Sequence, residues 1–308
     1  MKPKIYIDGK EGTTGLQIYE RLGERDDIEL LLIDEAGRKD PGERKKFLNA
    51  ADLAFFCLPD EAAREAVSLI DKGGAVRVID ASTAHRTAAG WVYGFPELSA
   101  ARRRAIQSAR YVANPGCHAT GVIALLAPLT AAGLVPADYP LAITSLTGYS
   151  GAGKRAIAEY QAPDRPAEYA APRLYGMAMA HKHIPEIIAE AGLAFTPAFT
   201  PVICDYYSGM EIIIPLHRGF IRGGKTEIRA VLEKHYANSV FIHLAEPPAS
   251  GYSPSNAYAG SNRMELSVAG SEEIVLLTAR LDNLGKGASG AAVQNMNIML
   301  GFPEDRGL

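Results

Sequence analysis

Short β-favouring runs alternate with helix-period stretches through the first third of the chain. The apolar runs at Ile5–Ile7, Ile28–Ile33, Leu53–Leu58, Val76–Ile79 and Tyr111–Ala113 read as strands. Between them, the stretches from Thr13 through Leu22, Pro41 to Ala50, Asp60 to Lys72 and Ser99 to Gln107 read as helices. Such alternation is the signature of a parallel sheet covered by helices on both faces, and ligands sit at the carboxyl ends of its strands. Those ends carry Gly9, Asp34, Pro59, Asp80-Ala81-Ser82 and Asn114-Pro115-Gly116. Beyond an apolar helix running from His118 toward Ala132 the pattern changes. Longer strands are expected at Leu141–Leu146, Pro201–Asp205, Met210–Leu216, Val240–His243, Met264–Val268 and Ile274–Leu281, as in a second domain of α+β type. A final helix through Val293, Met296, Ile298 and Leu300 is expected to dock back on the first domain.

The 308 residues suffice for two domains, each with a real core. Lys+Arg number 32 against 35 Asp+Glu, without a basic block or acidic tail, so neither nucleic acid nor a membrane surface is an expected partner and a small molecule is the default. The longest apolar stretch, Gly121 to Val135, is broken by Pro128 and Thr130, and the N-terminus shows no signal-peptide core. A soluble, cytoplasmic protein is the expectation. Cys57, Cys117 and Cys204 lie far apart with no C-x-x-C pair, which argues against a disulfide framework and a cysteine zinc site.

The chemistry gathers at glycine turns. Gly9-x-x-Gly12-x-x-Gly15 links the first strand to the first helix as a variant of the dinucleotide fingerprint, with Thr13 and Thr14 as added hydroxyl donors. Asp34 stands where an acid grips the ribose of NAD, whereas Arg38 and Lys39 suit the extra phosphate of NADP, and the residues alone leave that choice open. Asn114-Pro115-Gly116-Cys117 puts a thiol at a helix start, where the aligned peptide dipoles favour thiolate; the plainer alternative is a small buried hydrophobe. Gly148 to Lys154 matches a phosphate-loop template, but Arg155 replaces the magnesium-binding hydroxyl, so a glycine turn lining a substrate pocket is the better reading. His181-Lys182-His183-Ile184-Pro185-Glu186 offers a general base ahead of a helix rather than a metal site, because no third ligand is evident. Asn283 to Gly290 forms another glycine-rich turn suited to close approach by a ligand or a second backbone.

Taken together, Asn114 to Gly121, Gly148 to Gly153, His181 to Glu186 and Asp282 to Gly287 resemble the N-acetyl-γ-glutamyl-phosphate reductases, in their shorter class, over nearly the whole length. The resemblance implies an α/β Rossmann-type domain over 1–116 and 285–308. It also implies a catalytic, substrate and oligomerisation domain over 117–284, similar to the C-terminal domains of glyceraldehyde-phosphate dehydrogenases. It further implies NADPH-dependent reduction of an acyl phosphate to an aldehyde in arginine biosynthesis, by a homodimer or homotetramer. By the same resemblance Cys117 is the nucleophile and His181 the base, with His183 as fallback. Arg86 and Asn114 then bind substrate, and Ser82, Asn283, Gly285, Lys286 and Gly287 join Gly9 to Gly15 and Arg38 at the cofactor; from its charge and location, Arg173 is a candidate to meet the substrate carboxylate. The rival readings are a related semialdehyde dehydrogenase with another substrate, a cofactor-independent cysteine hydrolase and a non-catalytic dinucleotide sensor.

Overall fold

The computed structural model describes residues 1–308, which divide into two compact units, Met1–Pro115 with Ala288–Leu308, and Gly116–Gly287. In the first unit the strands are β1 (Lys4–Asp8), β2 (Glu29–Leu31), β3 (Leu53–Phe56), β4 (Arg77–Asp80), β5 (Val92–Tyr93) and β6 (Tyr111–Ala113). All pair in parallel, in the order β2-β1-β3-β4-β6-β5. The helices are α1 (Thr13–Gly23), α2 (Pro41–Ala50), α3 (Asp60–Ser68) and α4 (Ala100–Ser108), joined by the C-terminal helix Gly290–Leu300.

Alternate residues of each strand serve opposite faces. Ile5, Ile7, Phe55 and Ile79 pack with Ile18, Leu22, Ile106, Val293 and Met296, while Tyr6, Ala54, Phe56 and Val78 pack with Leu48 and Ala66. The helices therefore fall on both faces, as the alternation predicted. The order reverses between β1 and β3, which places the glycine turn after β1 at the switch point of the sheet.

The second unit opens with α5 (Cys117–Ala131) and continues through β7 (Ala142–Gly148), α6 (Gly153–Gln161), β8 (Arg173–Leu174), α7 (Ile184–Ala191), β9 (Ala198–Cys204), β10 (Met210–His217), α8 (Lys225–Tyr236), β11 (Ile242–Ala245), β12 (Met264–Gly270) and β13 (Ile274–Leu281). Its mixed sheet runs β11-β12-β13-β10-β7-β9-β8. The helix α5 is buried over nearly its whole length and packs on α7, α8, β10 and β13. Gly121 permits that approach, since a Cβ there would lie 2.5 Å from Ile212 Cγ1. Pro128 lies inside α5 and has no N–H for the Ala124 carbonyl, which instead accepts from the Tyr236 hydroxyl at 2.7 Å.

Some boundaries differ from expectation. The two-residue strands β5 and β8 carry too few positions to show a period, and α3 ends at Ser68, four residues before the expected Lys72.

Candidate active site

Cys117 is the first residue of α5, preceded by Gly116 at the N-cap in extended conformation. The half-buried thiol thus stands at the positive end of a buried helix dipole. The other two thiols are poorer candidates: burial, with Asp80 and Asp8 nearby, pushes the Cys57 thiol far up, and burial also raises that of Cys204.

Around Cys117 the second unit gathers three imidazoles. The Cys117 sulfur, one His118 nitrogen and one His183 nitrogen lie within 4.8 Å of one another. The His181 ring packs edge-on against both neighbours, at 5.3 Å from His118 and 4.8 Å from His183, and its Nδ1 accepts the His183 amide at 3.3 Å. His183 caps α7 and is buried, whereas His181 is half-buried. The geometry thus brings His183 to the thiol, with His181 beside it.

His118 escaped the sequence reading because it continues the apolar face of α5. Its Nδ1 lies 2.6 Å from Ser145 Oγ and its Nε2 lies 2.8 Å from the Tyr175 hydroxyl. Burial, reinforced by His181 and Lys182, lowers its pKa to about 3, so the ring is neutral over the ordinary range. With both nitrogens engaged, His118 is not a base. Glu186, valued in the sequence only as a helix opener, is buried and accepts the Gly116 amide at 3.1 Å.

The terminal glycine turn is closely packed. A Cβ on Gly285 would lie 2.1 Å from the Ser261 carbonyl oxygen, and one on Gly287 would lie 2.8 Å from Cys117 Cβ. Asn283 donates to Ser150 Oγ at 3.0 Å and accepts the Gly209 amide at 2.8 Å. Lys286 is buried, with its ammonium 5.6 Å from the Phe241 ring centre. The phosphate-loop look-alike spends its amides on backbone: Gly148, Tyr149 and Ser150 donate to the carbonyls of Gly209, Tyr206 and Tyr207. Arg173 donates to the Tyr160 hydroxyl and lies 3.6 Å over the Tyr169 ring.

In the first unit a cavity of about 570 Å³ opens at the ends of β1 and β2. Gly9 to Glu11, Leu30 to Glu35, Arg38, Lys39, Arg44, Leu58 and Ala62 line it. Gly9 holds φ +85°, and a Cβ there would lie 2.4 Å from the Cys57 carbonyl oxygen; a Cβ on Gly15 would lie 2.4 Å from that of Gly9. Thr13 and Thr14 begin α1, and the buried Tyr6 hydroxyl in the cavity wall has no hydrogen-bond partner. A glycine cradle, an unsatisfied hydroxyl and the cations Lys10, Arg38 and Lys39 fit a phosphorylated dinucleotide.

Beside this cavity the buried Asp8 carboxylate binds Arg44 at 2.9 Å. At the other strand ends, Ser82 donates through its amide and hydroxyl to Asp80, and Asp80 also pairs with His85. Arg86 donates from Nε to the Asn114 carbonyl and from a terminal nitrogen to that of Ala81. Asn114 in turn binds the Ala288 carbonyl and Asn295. Both residues therefore shape the end of the first unit's sheet, up to the residue before Pro115.

Two families match the chain: the semialdehyde dehydrogenase NAD binding domain over residues 4–107, and the semialdehyde dehydrogenase dimerisation domain over residues 117–283. An N-acetyl-gamma-glutamyl-phosphate reductase of Brucella ovis is 47% identical over 309 residues, covering 98% of this chain and 100% of that one. N-acetyl-gamma-glutamyl-phosphate reductase 2 of Nostoc sp. is 46% identical over 321 residues, covering 100% and 99%. The chain belongs to the N-acetyl-gamma-glutamyl-phosphate reductase family. Solved structures place this reductase-family chain on a wider fold. Aspartate semialdehyde dehydrogenase II of Vibrio cholerae superposes with a TM-score of 0.72 at 17% identity over 97% of this chain and 98% of that one. A probable aspartate-semialdehyde dehydrogenase of Pseudomonas aeruginosa gives 0.71 at 18% identity over 97% and 99%.

Proposed function

We propose that this chain reduces N-acetyl-γ-glutamyl phosphate to N-acetylglutamate 5-semialdehyde with NADPH, through a thioester on Cys117. The observation that carries the reading is the half-buried thiol at the start of α5 with a His183 nitrogen within 4.8 Å. Full-length relatives of that name at 46 to 47% identity supply the substrate class.

His183 accepts the thiol proton, and the helix start holds the thiolate that forms. The thiolate sulfur attacks the acyl carbonyl, the C–O bond to phosphate breaks, and inorganic phosphate leaves with that electron pair and takes up the proton held by His183. A dinucleotide held at Gly9 to Gly15 and Arg38 would supply the hydride for reduction at the thioester carbonyl. Collapse of the resulting thiohemiacetal oxyanion then breaks the C–S bond, releasing the aldehyde and restoring the Cys117 thiolate. His181 orients His183 by accepting its amide, and Glu186 holds Gly116 so that the thiol stays at the helix start.

The first unit holds the dinucleotide at Gly9 to Gly15 and Arg38. The unit beginning at Gly116 carries the chemistry and, matching a dimerisation domain over 117–283, self-associates as a homodimer or homotetramer. No helix is long and apolar enough to cross a membrane. The biosynthetic role supports a place in the cytoplasm, in arginine synthesis.

The reverse reaction tests the reading: N-acetylglutamate 5-semialdehyde, phosphate and NADP⁺ should give phosphate-dependent NADPH absorbance. Turnover without phosphate dependence would leave a semialdehyde dehydrogenase of another kind, and hydrolysis without dinucleotide would leave the cysteine hydrolase.

A further inference from the structure

Ser145, His118 and Tyr175 lie in one hydrogen-bonded line, and a nitrogen of its middle member, His118, lies within 4.8 Å of the Cys117 sulfur. The line joins β7, the first turn of α5 and the segment after β8, whose Tyr175 amide donates to the Pro201 carbonyl at 3.0 Å. Ser145 Oγ lies 2.6 Å from His118 Nδ1, and His118 Nε2 lies 2.8 Å from the Tyr175 hydroxyl. Ser145 is wholly buried and His118 nearly so.

The proton positions follow from what each group has available. The Ser145 hydroxyl has His118 Nδ1 as its one side-chain partner, and a buried O–H left without an acceptor is costly. Ser145 therefore donates to Nδ1. A neutral imidazole with an acceptor at Nδ1 carries its proton on Nε2, which donates to the Tyr175 oxygen. The Tyr175 O–H is then the free end of the line. Burial raises the Tyr175 pKa, so the phenol keeps its proton. Burial keeps His118 neutral, so the line carries no charge of its own to compete with a developing anion.

The geometry points to Tyr175 as a further catalytic residue, whose hydroxyl donates a hydrogen bond to the carbonyl oxygen on Cys117 as it becomes an oxyanion, with His118 and Ser145 as positioning residues. The inference rests on the reading of Cys117 as nucleophile. No bond to hydrogen breaks in this role: the O–H stays on Tyr175 through attack and collapse, and each partner behind it polarises the next. A one-proton donor of this kind stabilises the transition state more than bound substrate, so its loss lowers kcat rather than raising KM.

The test compares Tyr175→Phe, His118→Gln, their double variant and Cys117→Ala in the phosphate-dependent assay, with Cys117 alkylation by iodoacetamide as a second readout. Tyr175→Phe is expected to lower kcat about 100- to 1,000-fold with KM changed less than about threefold, the range seen for single oxyanion donors. Its alkylation rate and pH profile should match wild type, because the thiol itself is untouched. The double variant should lose no more than about threefold beyond the worse single, since the two groups act as one line. A Tyr175→Phe kcat within about threefold of wild type would overturn the proposal, as would additive losses or a parallel collapse of alkylation. Tyr175→Phe removes only an oxygen, so it stays informative if His118→Gln fails to fold. An active Cys117→Ala would instead remove the thioester reading itself.

Discussion

The backbone amide of Gly116 donates to the carboxylate of Glu186 at 3.1 Å, and both groups are buried. One hydrogen bond thus ties the residue before the nucleophile to the first turn of α7, the helix that His183 caps.

Replacing Glu186 measures its worth. Glu186→Gln keeps an acceptor oxygen and is expected to hold kcat within about threefold, whereas Glu186→Ala leaves a buried amide unpaired and costs about 1–3 kcal/mol of stability. The alanine variant should also lose roughly tenfold in kcat as thiol and base drift apart. Denaturant unfolding and steady-state kinetics read the two effects. Wild-type behaviour of Glu186→Ala in both would show that the tie does nothing.

Two glycines separate packing from chemistry. Gly287→Ala would push a Cβ to 2.8 Å from Cys117 Cβ, and Gly121→Ala would push one to 2.5 Å from Ile212 Cγ1 in the core. Each is expected to cost about 1–3 kcal/mol in stability by overpacking. Only Gly287→Ala should also shift the nucleophile, lowering both turnover and the alkylation rate of Cys117 by about tenfold or more. Equal kinetic losses in the two variants would refute that distinction.

Much of this was legible in the chain itself. Strand–helix alternation implied the parallel sheet, and the apolar helix after Asn114-Pro115-Gly116 implied a mounted thiol. What escaped were groups whose role depends on a partner distant in sequence. His118 sits on an apolar helix face, and nothing near it predicts Ser145 or Tyr175 as its neighbours. Arg86 follows a strand end, where the resemblance puts a substrate phosphate; nothing near it in sequence shows that its Nε and one terminal nitrogen donate to the carbonyls of Asn114 and Ala81. The glycines at 285 and 287 matched a ligand turn equally well, and only the positions of Ser261 and Cys117 show what their missing side chains accommodate.

His118 also predicts an acid sensitivity. Its folded pKa of about 3 lies below the usual histidine value, so between those limits the unfolded chain binds a proton that the native chain refuses. The native state is therefore favoured above the unfolded pKa, near 6.5. It loses up to about 1.4 kcal/mol per pH unit as pH falls toward 3. Urea unfolding between pH 7 and 4 should show a shallower loss in His118→Gln than in wild type. Parallel curves would mean His118 is as easily protonated in the fold as outside it.

The remaining prediction concerns which dinucleotide the first unit prefers. Asp34 lines the cavity and repels a 2′-phosphate, while Arg38 and Lys39 line it too and attract one. Arg38 Nε is held by Glu35 at 2.6 Å, but that pair is exposed, so it contributes at most about 1 kcal/mol. A 2′-phosphate carries more charge than a carboxylate and more acceptor oxygens, and can take Arg38 from Glu35 at little cost. Arg38→Ala is therefore expected to weaken NADP⁺ binding about 10- to 100-fold while leaving NAD⁺ within about threefold, the size of one charge-assisted contact. Glu35→Gln, which frees Arg38 beforehand, should tighten NADP⁺ slightly and leave NAD⁺ unchanged. Calorimetric titration of both dinucleotides decides it without turnover. Equal losses for NADP⁺ and NAD⁺ in Arg38→Ala would place the 2′-phosphate away from Arg38, with Lys39 the next residue to replace.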